Sequence, residues 1–330
     1  MISCTEFVPA YSELFKFIDK KAGRQAVYDY WNWLFQPEKS PLNEHLDRAG
    51  IRGCWDYWTV IHREEACDNT QVFSEKEGWH ISCMHSCPSK GRFAKLGYME
   101  PFEEYCKHCD SYDLSLKKHG FECFNDYRGA ERACCRTLII DPQKFSGNPQ
   151  EMVEKMYQCE MNGCTADTTG CPFASENTIQ QTTTSEGYKY LHPEFHVYMD
   201  RGAGYVLDNY GMEGLQEYLS QFTLAFHVPL LQAIEEKGLA AIAEYLRWLY
   251  DTEEAHTALS LVETDSEVAV TVHYCPAVKY MKGRGYTPGK SFEYCTSMVY
   301  DALAKASGLG FNMNAYDHDT GAAQFRFYIK

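Results

Sequence analysis

The chain of 330 residues has no long apolar run and few positive charges. A membrane-spanning helix needs about 20 consecutive apolar residues, and no stretch approaches that length, so we expect no membrane span. Lys and Arg number 31 against 46 Asp and Glu, which gives a net charge of −15. Nucleic acids and anionic membrane surfaces are bound through clustered basic residues, so neither is expected as a partner.

Several common signature motifs are also missing. There is no Walker loop, no dinucleotide-binding glycine fingerprint and no G-x-S-x-G nucleophile turn, so the commonest nucleotide enzymes and serine hydrolases are not expected. The first residues lack the basic start and apolar run of a signal peptide, so the expected location is the cytoplasm.

Cysteine, by contrast, is abundant, with 15 residues. An odd number cannot all pair within one chain, and cysteines inside cells are kept reduced. Metal binding or catalysis is therefore expected in preference to a disulfide framework.

The chain contains an internal repeat. The motif His-x-Cys-Pro occurs at residues 85–88 and again at 273–276. The same repeat offset, from position 85 to position 273, aligns further pairs, among them Gly23 with Gly211, Gly50 with Gly238, and Glu65 with Glu253. A period this long predicts two homologous domains, since solenoid repeats are about 20–50 residues long.

Each copy begins with helical periodicity and ends with the alternation typical of strands. The predicted fold class is α+β, with two homologous domains that each have an N-terminal helical part, then a small antiparallel sheet with an inserted helix. The expected boundaries are 1–142 for the first copy, 143–187 for a cysteine-containing linker and 188–330 for the second copy.

The first copy contains a candidate metal site. Cys106 and Cys109 lie about one helical turn apart, a spacing that suits two ligands of one ion. Cys87 follows a strand and could be a third ligand, and Cys134 or Cys135 a fourth. We expect zinc at Cys87, Cys106, Cys109 and Cys135, although reduced cysteines packed as small apolar residues would give the same pattern.

The second copy keeps only part of this set, with His273, Cys275 and Cys295. A histidine two residues before a cysteine could stabilise its thiolate, and His85 occupies the same position in the first copy. Glu65 is a candidate general base beside the thiols. The expected catalytic residues are Glu65, His85, His273 and Cys275; buried core positions and a solvated helix face are the alternatives.

Two further groups are less regular. His192 and His196 are four residues apart and would share a helical face with room for a metal ion, with His227 as a third nitrogen; packing at a helix start is the alternative. The linker contains three cysteines that could bind a metal together with one outside ligand, or form a mobile loop with free thiols: Cys159, Cys164 and Cys171.

A strand that ends in Cys-Pro, a helix that opens with Cys about twenty residues later, and a closing strand with Cys-Arg or Phe-Arg form a recognisable order in both copies. This order resembles the L-2-amino-thiazoline-4-carboxylic acid hydrolase family and, more distantly, 4-vinyl reductase or hydrocarbon-binding domains. The matching residues are Cys87-Pro88, Cys106 and Cys135-Arg136, then Cys275-Pro276, Cys295 and Phe325-Arg326. The resemblance implies metal-assisted hydrolytic opening of a small cyclic C=N compound.

We therefore expect a cytosolic enzyme that acts on a small molecule, with a divalent metal, zinc, assisting hydrolysis of a non-peptide C–N bond. One alternative is a binding or sensor module with an apolar pocket lined from the 24 Tyr, 18 Phe and 6 Trp. Another is a redox or cofactor enzyme with an Fe–S cluster or a corrinoid. The sequence leaves the oligomeric state open, a homo-oligomer included.

Overall fold

The computed structural model describes residues 1–167, 170–182 and 191–330. Its helices and two antiparallel sheets confirm the α+β class. In these described parts of the chain, no helix combines the length and hydropathy that a membrane span requires. The chain divides into two compact units: unit 1 contains Met1–Lys20 and Lys189–Lys330, and unit 2 is Lys21–Tyr188. The first twenty residues, grouped with 21–142 in the sequence analysis, thus belong to the unit that contains the second copy.

Helix α1 opens the chain at Cys4–Ala22, and most of it lies in unit 1. Unit 2 continues in chain order with α2 (Arg24–Leu34), α3 (Pro41–Ala49), α4 (Arg52–Glu64), β1 (Asp68–Ser74), β2 (Trp79–Ser86), α5 (Pro88–Leu96), a 3₁₀ helix at Tyr105–Tyr112, α6 (Asp113–Lys118), β3 (Glu122–Asp126), β4 (Cys135–Ile140), α7 (Pro149–Met161) and β5 (Asn177–Gln181). Proline at the first position begins α3, α5 and α7, because its fixed φ suits a helix start and its missing N–H is not needed there.

The sheet of unit 2 has the order β3-β4-β2-β1-β5, and every neighbouring pair is antiparallel. One face, with Phe73 and Ile139, packs against α3, α4 and α6. The opposite face, with Ile81 and Leu138, packs against Met156 of α7. The segment expected to be a linker therefore supplies both an edge strand and the helix that covers the second face.

Unit 1 continues with α8 (Phe195–Phe226), α9 (Val228–Lys237), α10 (Leu239–Thr252), β6 (Leu259–Glu263), β7 (Glu267–Val272), α11 (Pro276–Gly283), a 3₁₀ helix at Lys290–Glu293, α12 (Tyr294–Ala306), β8 (Gly310–Tyr316) and β9 (Ala323–Tyr328). The sheet has the order β6-β7-β9-β8. Phe325 and Phe327 lie on its buried face beside Tyr300 of α12, whereas Gln324 and Arg326 are exposed. This sheet is therefore covered on one face.

The two copies share unusual backbone conformations at positions related by the repeat offset. The strand order β1-β2-β4-β3 in the first copy corresponds, strand by strand, to the order β6-β7-β9-β8 in the second. Positive φ angles recur at paired positions: Gly23 and Gly211, Gly50 and Gly238, Ala66 and Glu254, Gly97 and Gly285, Gly120 and Gly308, and Ala133 and Gly321. A positive φ at a non-glycine residue is uncommon, so its recurrence at Ala66 and Glu254 supports the duplication.

Strand register corrects the alignment of the closing strands. Met84 pairs with Cys135, and Val272, the counterpart of Met84 at the repeat offset, pairs with Ala323. The counterpart of Cys135 is therefore Ala323, whereas the sequence analysis placed Phe325 there. The other alignment was suggested by a single local match, Arg136 with Arg326, whereas backbone pairing fixes each position along the whole strand.

Candidate metal centre

Three helix ends of unit 1 bring a thiol, an imidazole and a carboxylate together. Cys4 is the first residue of α1, His196 lies in the first turn of α8, and Glu253 follows the last residue of α10. Glu254, with a φ of 52°, turns the chain away from the end of α10. All three side chains are buried, with exposures of 0% for Cys4, 2% for His196 and 6% for Glu253.

The ligand atoms of this trio converge. The distance from Cys4 Sγ to His196 Nε2 is 3.4 Å, from His196 Nε2 to Glu253 Oε2 2.9 Å, and from Cys4 Sγ to Glu253 Oε2 3.8 Å. Within the described residues, this is the group of three ligand atoms that lie within 4.8 Å of one another. Tetrahedral zinc with ordinary bond lengths places such atoms roughly 3.4 to 3.6 Å apart. The Cys4–His196 distance lies in this range, and the other two lie about half an ångström or less from it.

Glu253 is the carboxylate of the trio. Burial alone would raise the pKa of its carboxyl group, but the charge and hydrogen bond of His196 and hydrogen bonds from Cys4 lower that pKa below its ordinary value. The backbone N–H of Cys4 donates to Oε1 at 2.5 Å. Oε1 is therefore held by the start of α1, and Oε2 faces the imidazole and the thiol.

A second buried network lies two residues further along α1. Glu6 accepts hydrogen bonds from Tyr245 Oη at 2.7 Å and from the backbone N–H of Ser3 at 2.8 Å. His227 Nε2 lies 3.2 Å from Glu6 Oε1, and its Nδ1 lies 3.2 Å from the carbonyl oxygen of Thr223. His227 therefore links the carboxylate of Glu6 to the end of α8. These contacts fix the start of α1, and with it Cys4.

The histidines singled out from the sequence separate in the structure. His196 is in the trio, whereas His227 pairs with Glu6. His192 precedes α8, which begins at Phe195, so the two histidines do not share a helical face. The backbone carbonyl of His192 accepts a hydrogen bond from Cys4 Sγ at 3.3 Å. His192 therefore orients the thiol through its backbone.

The predicted residues of the second copy are two buried thiols, Cys275 and Cys295, and one exposed imidazole, His273. Burial raises the pKa of Cys275, and the charge of Glu253 adds to the rise. Burial, and to a smaller degree the charge of Cys275, also raises the pKa of Cys295 to about 12. His273 is exposed, and its Nε2 lies 2.8 Å from Ser260 Oγ. Both thiols therefore stay protonated at neutral pH, and His273 is engaged with a surface serine.

The predicted metal ligands of the first copy share one region of unit 2. Burial, and then the charge of Cys106, raises the pKa of Cys87 to about 11, and Glu65 contributes as well. Burial, then the charges of Cys87 and Cys106, raises the pKa of Cys135 well above its ordinary value. The same neighbouring thiols act on Cys109, an exposed residue whose Sγ lies 3.7 Å from His108 Nε2.

His85 forms its side-chain hydrogen bond with a threonine and not with one of these thiols. Its Nε2 lies 2.9 Å from Thr70 Oγ1. Burial, with a contribution from the charge of Arg136, lowers the pKa of His85 to about 4. The imidazole is therefore neutral at physiological pH, and its hydrogen bond is to a neighbouring strand.

The two copies share a core arrangement. Glu65 with Cys87 and Cys106 in unit 2 corresponds to Glu253 with Cys275 and Cys295 in unit 1. In each unit the first cysteine interacts electrostatically with the glutamate and with the second cysteine. Beyond this shared set they differ. Unit 2 adds thiols to it, whereas unit 1 adds the trio partners Cys4 and His196.

Sequence reasoning did not single out Cys4, although a signal existed. The repeat offset places Cys4 on His192, so both copies carry a metal-ligand residue type at that position. The duplication predicted separate copies, however, and gave no reason to join residue 4 to residues 196 and 253. Only the packing of α1 in unit 1 brings them together.

Comparison of the chain with models of known protein families, with curated proteins and with solved structures found no match. The resemblance to the L-2-amino-thiazoline-4-carboxylic acid hydrolase family therefore remains a prediction from short motifs.

Proposed function

We propose that this protein is a metal-dependent enzyme that acts on a small molecule, and that Cys4, His196 and Glu253 bind one zinc ion. The observation that supports the proposal is the convergence of three ligand atoms of three different kinds, each from a buried residue. Thiolate, imidazole and carboxylate are the three ligand types that zinc takes from proteins.

The direction of the contacts favours a metal site over a nucleophilic triad. In a triad, the nucleophile contacts one imidazole nitrogen and the acid contacts the other. Here both Cys4 Sγ and Glu253 Oε2 lie closest to Nε2 of His196. Three atoms directed at a common point match coordination of an ion and do not form a proton relay.

Three protein ligands leave one coordination position for water or substrate, which is the arrangement of catalytic zinc sites. A zinc ion there would supply a Lewis acid and lower the pKa of a bound water. Hydrolysis of a C–N bond in a small cyclic compound is the reaction that the family resemblance implies, and we adopt it as the proposed reaction. The Glu6–His227 pair would keep the start of α1, and therefore Cys4, in place.

The test is metal analysis of purified protein with matched variants. Wild-type protein should contain zinc, and Cys4→Ala and His196→Gln should each lose one equivalent while remaining folded by circular dichroism. Cys54→Ala is the control, because Cys54 is equally buried but lies in an apolar cluster of unit 2. Chelation should abolish hydrolysis of cyclic C=N compounds, and zinc should restore it. Full zinc retention in a folded Cys4→Ala variant would refute the proposed site.

One observation favours a second candidate function, a redox enzyme with a sulfur-ligated iron centre. Cys87, Cys106 and Cys135 lie close enough that charge on one thiol raises the pKa of another, and all-sulfur sets select zinc or Fe–S clusters. Protein purified without oxygen should then be coloured, and Cys106→Ala colourless. A colourless wild-type protein without iron would eliminate this candidate.

A further inference from the structure

Four polar side chains lie on the face of β1 and β2 that packs against α4. Alternate residues of a strand share a face, and Gln71 pairs with Ser82 as Phe73 pairs with His80. Asn69, Gln71, His80 and Ser82 therefore share the side of the sheet that carries Phe73, which packs against the helices. These four residues are 0%, 1%, 0% and 7% exposed. Polar side chains buried to this degree normally have hydrogen-bond partners.

The hydrogen bonds of this polar layer do not use all of its polar atoms. Nδ2 of Asn69 donates to Nδ1 of His62 on α4 at 2.8 Å, and Nε2 of His80 donates to Oε1 of Gln71 at 3.4 Å. Among the described residues, Oδ1 of Asn69, Nδ1 of His80 and Oγ of Ser82 have no hydrogen-bond partner. A neutral imidazole has one N–H, so Nδ1 of His80 is an acceptor. Two acceptors and a hydroxyl group therefore face the interior without partners.

The second copy has apolar side chains in the same layer. The repeat offset places His80 on Val268, which is 1% exposed. It places Ser82 on Val270, which is 2% exposed and pairs with Leu261 of β6. The shared fold therefore does not require polar residues at these positions. Each unpaired buried polar atom costs about 1–3 kcal/mol, so the first copy departs from an apolar core at a cost in stability.

An aromatic ring of α4 lies beside the polar layer. The ring centroid of Trp55 is 6.3 Å from that of His80, with an angle of 81° between the ring planes. Trp55 also stacks on Phe73 at 6.1 Å. The repeat offset places Trp55 on Ala243, so this ring too is absent from the second copy. Sites for small molecules combine aromatic walls with a few polar atoms that fix the orientation of the ligand.

We propose that the layer between α4 and the sheet of unit 2 binds a small, uncharged, planar molecule that donates N–H hydrogen bonds. The unpartnered oxygen of Asn69 and nitrogen of His80 would accept these bonds, and Ser82 would bind between them. Residues two apart on a strand are about 6.7 Å apart, so a single ring beside Ser82 can direct N–H groups to both sides.

The side chains of this layer favour a neutral ligand. They are amides, imidazoles, a hydroxyl group and an indole, with no carboxylate, ammonium or guanidinium group to pair with a buried charge, which would be costly to leave alone. Cyclic ureas and cyclic amides have the required chemistry. The proposal does not rest on the trio, which lies in the other unit.

Two matched cyclic ureas test the proposal on the wild-type protein. Imidazolidin-2-one has two N–H groups, and 1,3-dimethylimidazolidin-2-one has the same ring with both N–H groups replaced. In NMR titrations of the full chain, the first should bind with a dissociation constant of about 1 mM or lower. The second should bind at least about tenfold more weakly, because it leaves the two acceptors unpaired. Equal affinities for the two compounds would overturn the proposal.

Substitutions copied from the second copy then locate the site. A double variant with His80→Val and Ser82→Val should remain folded by circular dichroism, because the second copy packs valine at both positions. Its affinity for imidazolidin-2-one should fall at least about tenfold. Thr70→Val is the control, because Thr70 is 2% exposed on the opposite face of β1 and hydrogen-bonds His85; its affinity should be unchanged.

Unchanged affinity in the folded double variant would contradict the proposed site. A crystal structure of the wild-type protein soaked with imidazolidin-2-one should show its ring between Trp55 and Ser82. Water molecules alone on the three polar atoms would overturn the proposal.

Discussion

Replacement of Arg136 by Gln should destabilise unit 2 strongly. The side chain of Arg136 is 1% exposed, and its Nε lies 3.1 Å from Asp126 Oδ2. Glu160 of α7 pairs with the same guanidinium, and the ring of Tyr157 lies 5.0 Å from it. The substitution therefore removes the buried cation that pairs with both Asp126 and Glu160 at the contact between β4 and α7.

The size of the effect follows from the separation and the burial. At 3.1 Å and an effective dielectric constant of about 20, the attraction between two unit charges is about 5 kcal/mol. Desolvation offsets part of this attraction in the native pair, but removal of one partner exposes the full cost of the charge left behind. Loss of a partner from a buried ion pair costs about 3–5 kcal/mol. We expect a loss of that size in the free energy of unfolding.

Urea unfolding followed by circular dichroism measures this loss, and Arg128→Gln is the matched control. Arg128 also pairs with Asp126 and with Glu154, but its side chain is 46% exposed. Exposed ion pairs contribute about 0–1 kcal/mol, so the control should lose no more than that. Equal losses in the two variants would show that burial does not determine the strength of this network.

The pH dependence provides an independent check of the same reasoning. Burial alone would raise the pKa of Asp126, but Arg128 and Arg136 lower it below its ordinary value. The unfolded chain then binds more protons, so this stabilisation is present above the ordinary pKa of Asp, about 3.9, and is lost as the pH falls through the lower folded pKa. In the Arg136→Gln variant that pKa should move upwards, and stability should be lost at higher pH. An unchanged acid dependence would contradict the role of Arg136.

Three further predictions concern separate features. Glu6→Gln should cost about 3–5 kcal/mol because it removes the buried carboxylate that pairs with His227. Glu217→Gln, at a surface pair with Lys20, should cost at most about 1 kcal/mol, and similar losses in urea unfolding would contradict a stabilising role for the buried pair. His80 is fully buried, and burial lowers its pKa to about 3. Stability should therefore fall as the pH drops from about 6.5 towards the folded pKa, by a total of about 5 kcal/mol. His80→Phe should remove this dependence, and an unaltered pH profile in the variant would contradict the assignment. Gly211→Ala should destabilise the protein by about 1–3 kcal/mol, because the backbone of Gly211 has a φ of 69° and a ψ of −174°, a conformation essentially restricted to glycine. Gly283→Ala, in a helix with open space around it, should be neutral or stabilising by up to about 1 kcal/mol. In thermal melts, Gly211→Ala should have the lower melting temperature of the two variants.

Much of each copy could be predicted from local patterns. The helices of 11–35 and 51–66, the strand before each Cys-Pro and the closing pair of strands follow from periodicity and from proline and glycine positions, and the structure contains all of them. The segment 143–187 was harder, because polar composition with Gly, Pro, Ser and Thr reads as a linker. Its helix α7 is stabilised by packing of Met156 on the sheet, a contact that no local pattern reveals.

The sequence by itself determined the duplication, the α+β class and the order of elements, because helix and strand periods, proline starts and glycine turns act over a few residues. Tertiary structure alone decided which ligand residues meet. Cys4 reaches His196 and Glu253 because α1 packs in unit 1, and Asn69 and Ser82 share one face of a sheet because of strand register. Both depend on apolar packing between residues far apart in the chain, which is non-directional and leaves no local mark on the residues that it brings together.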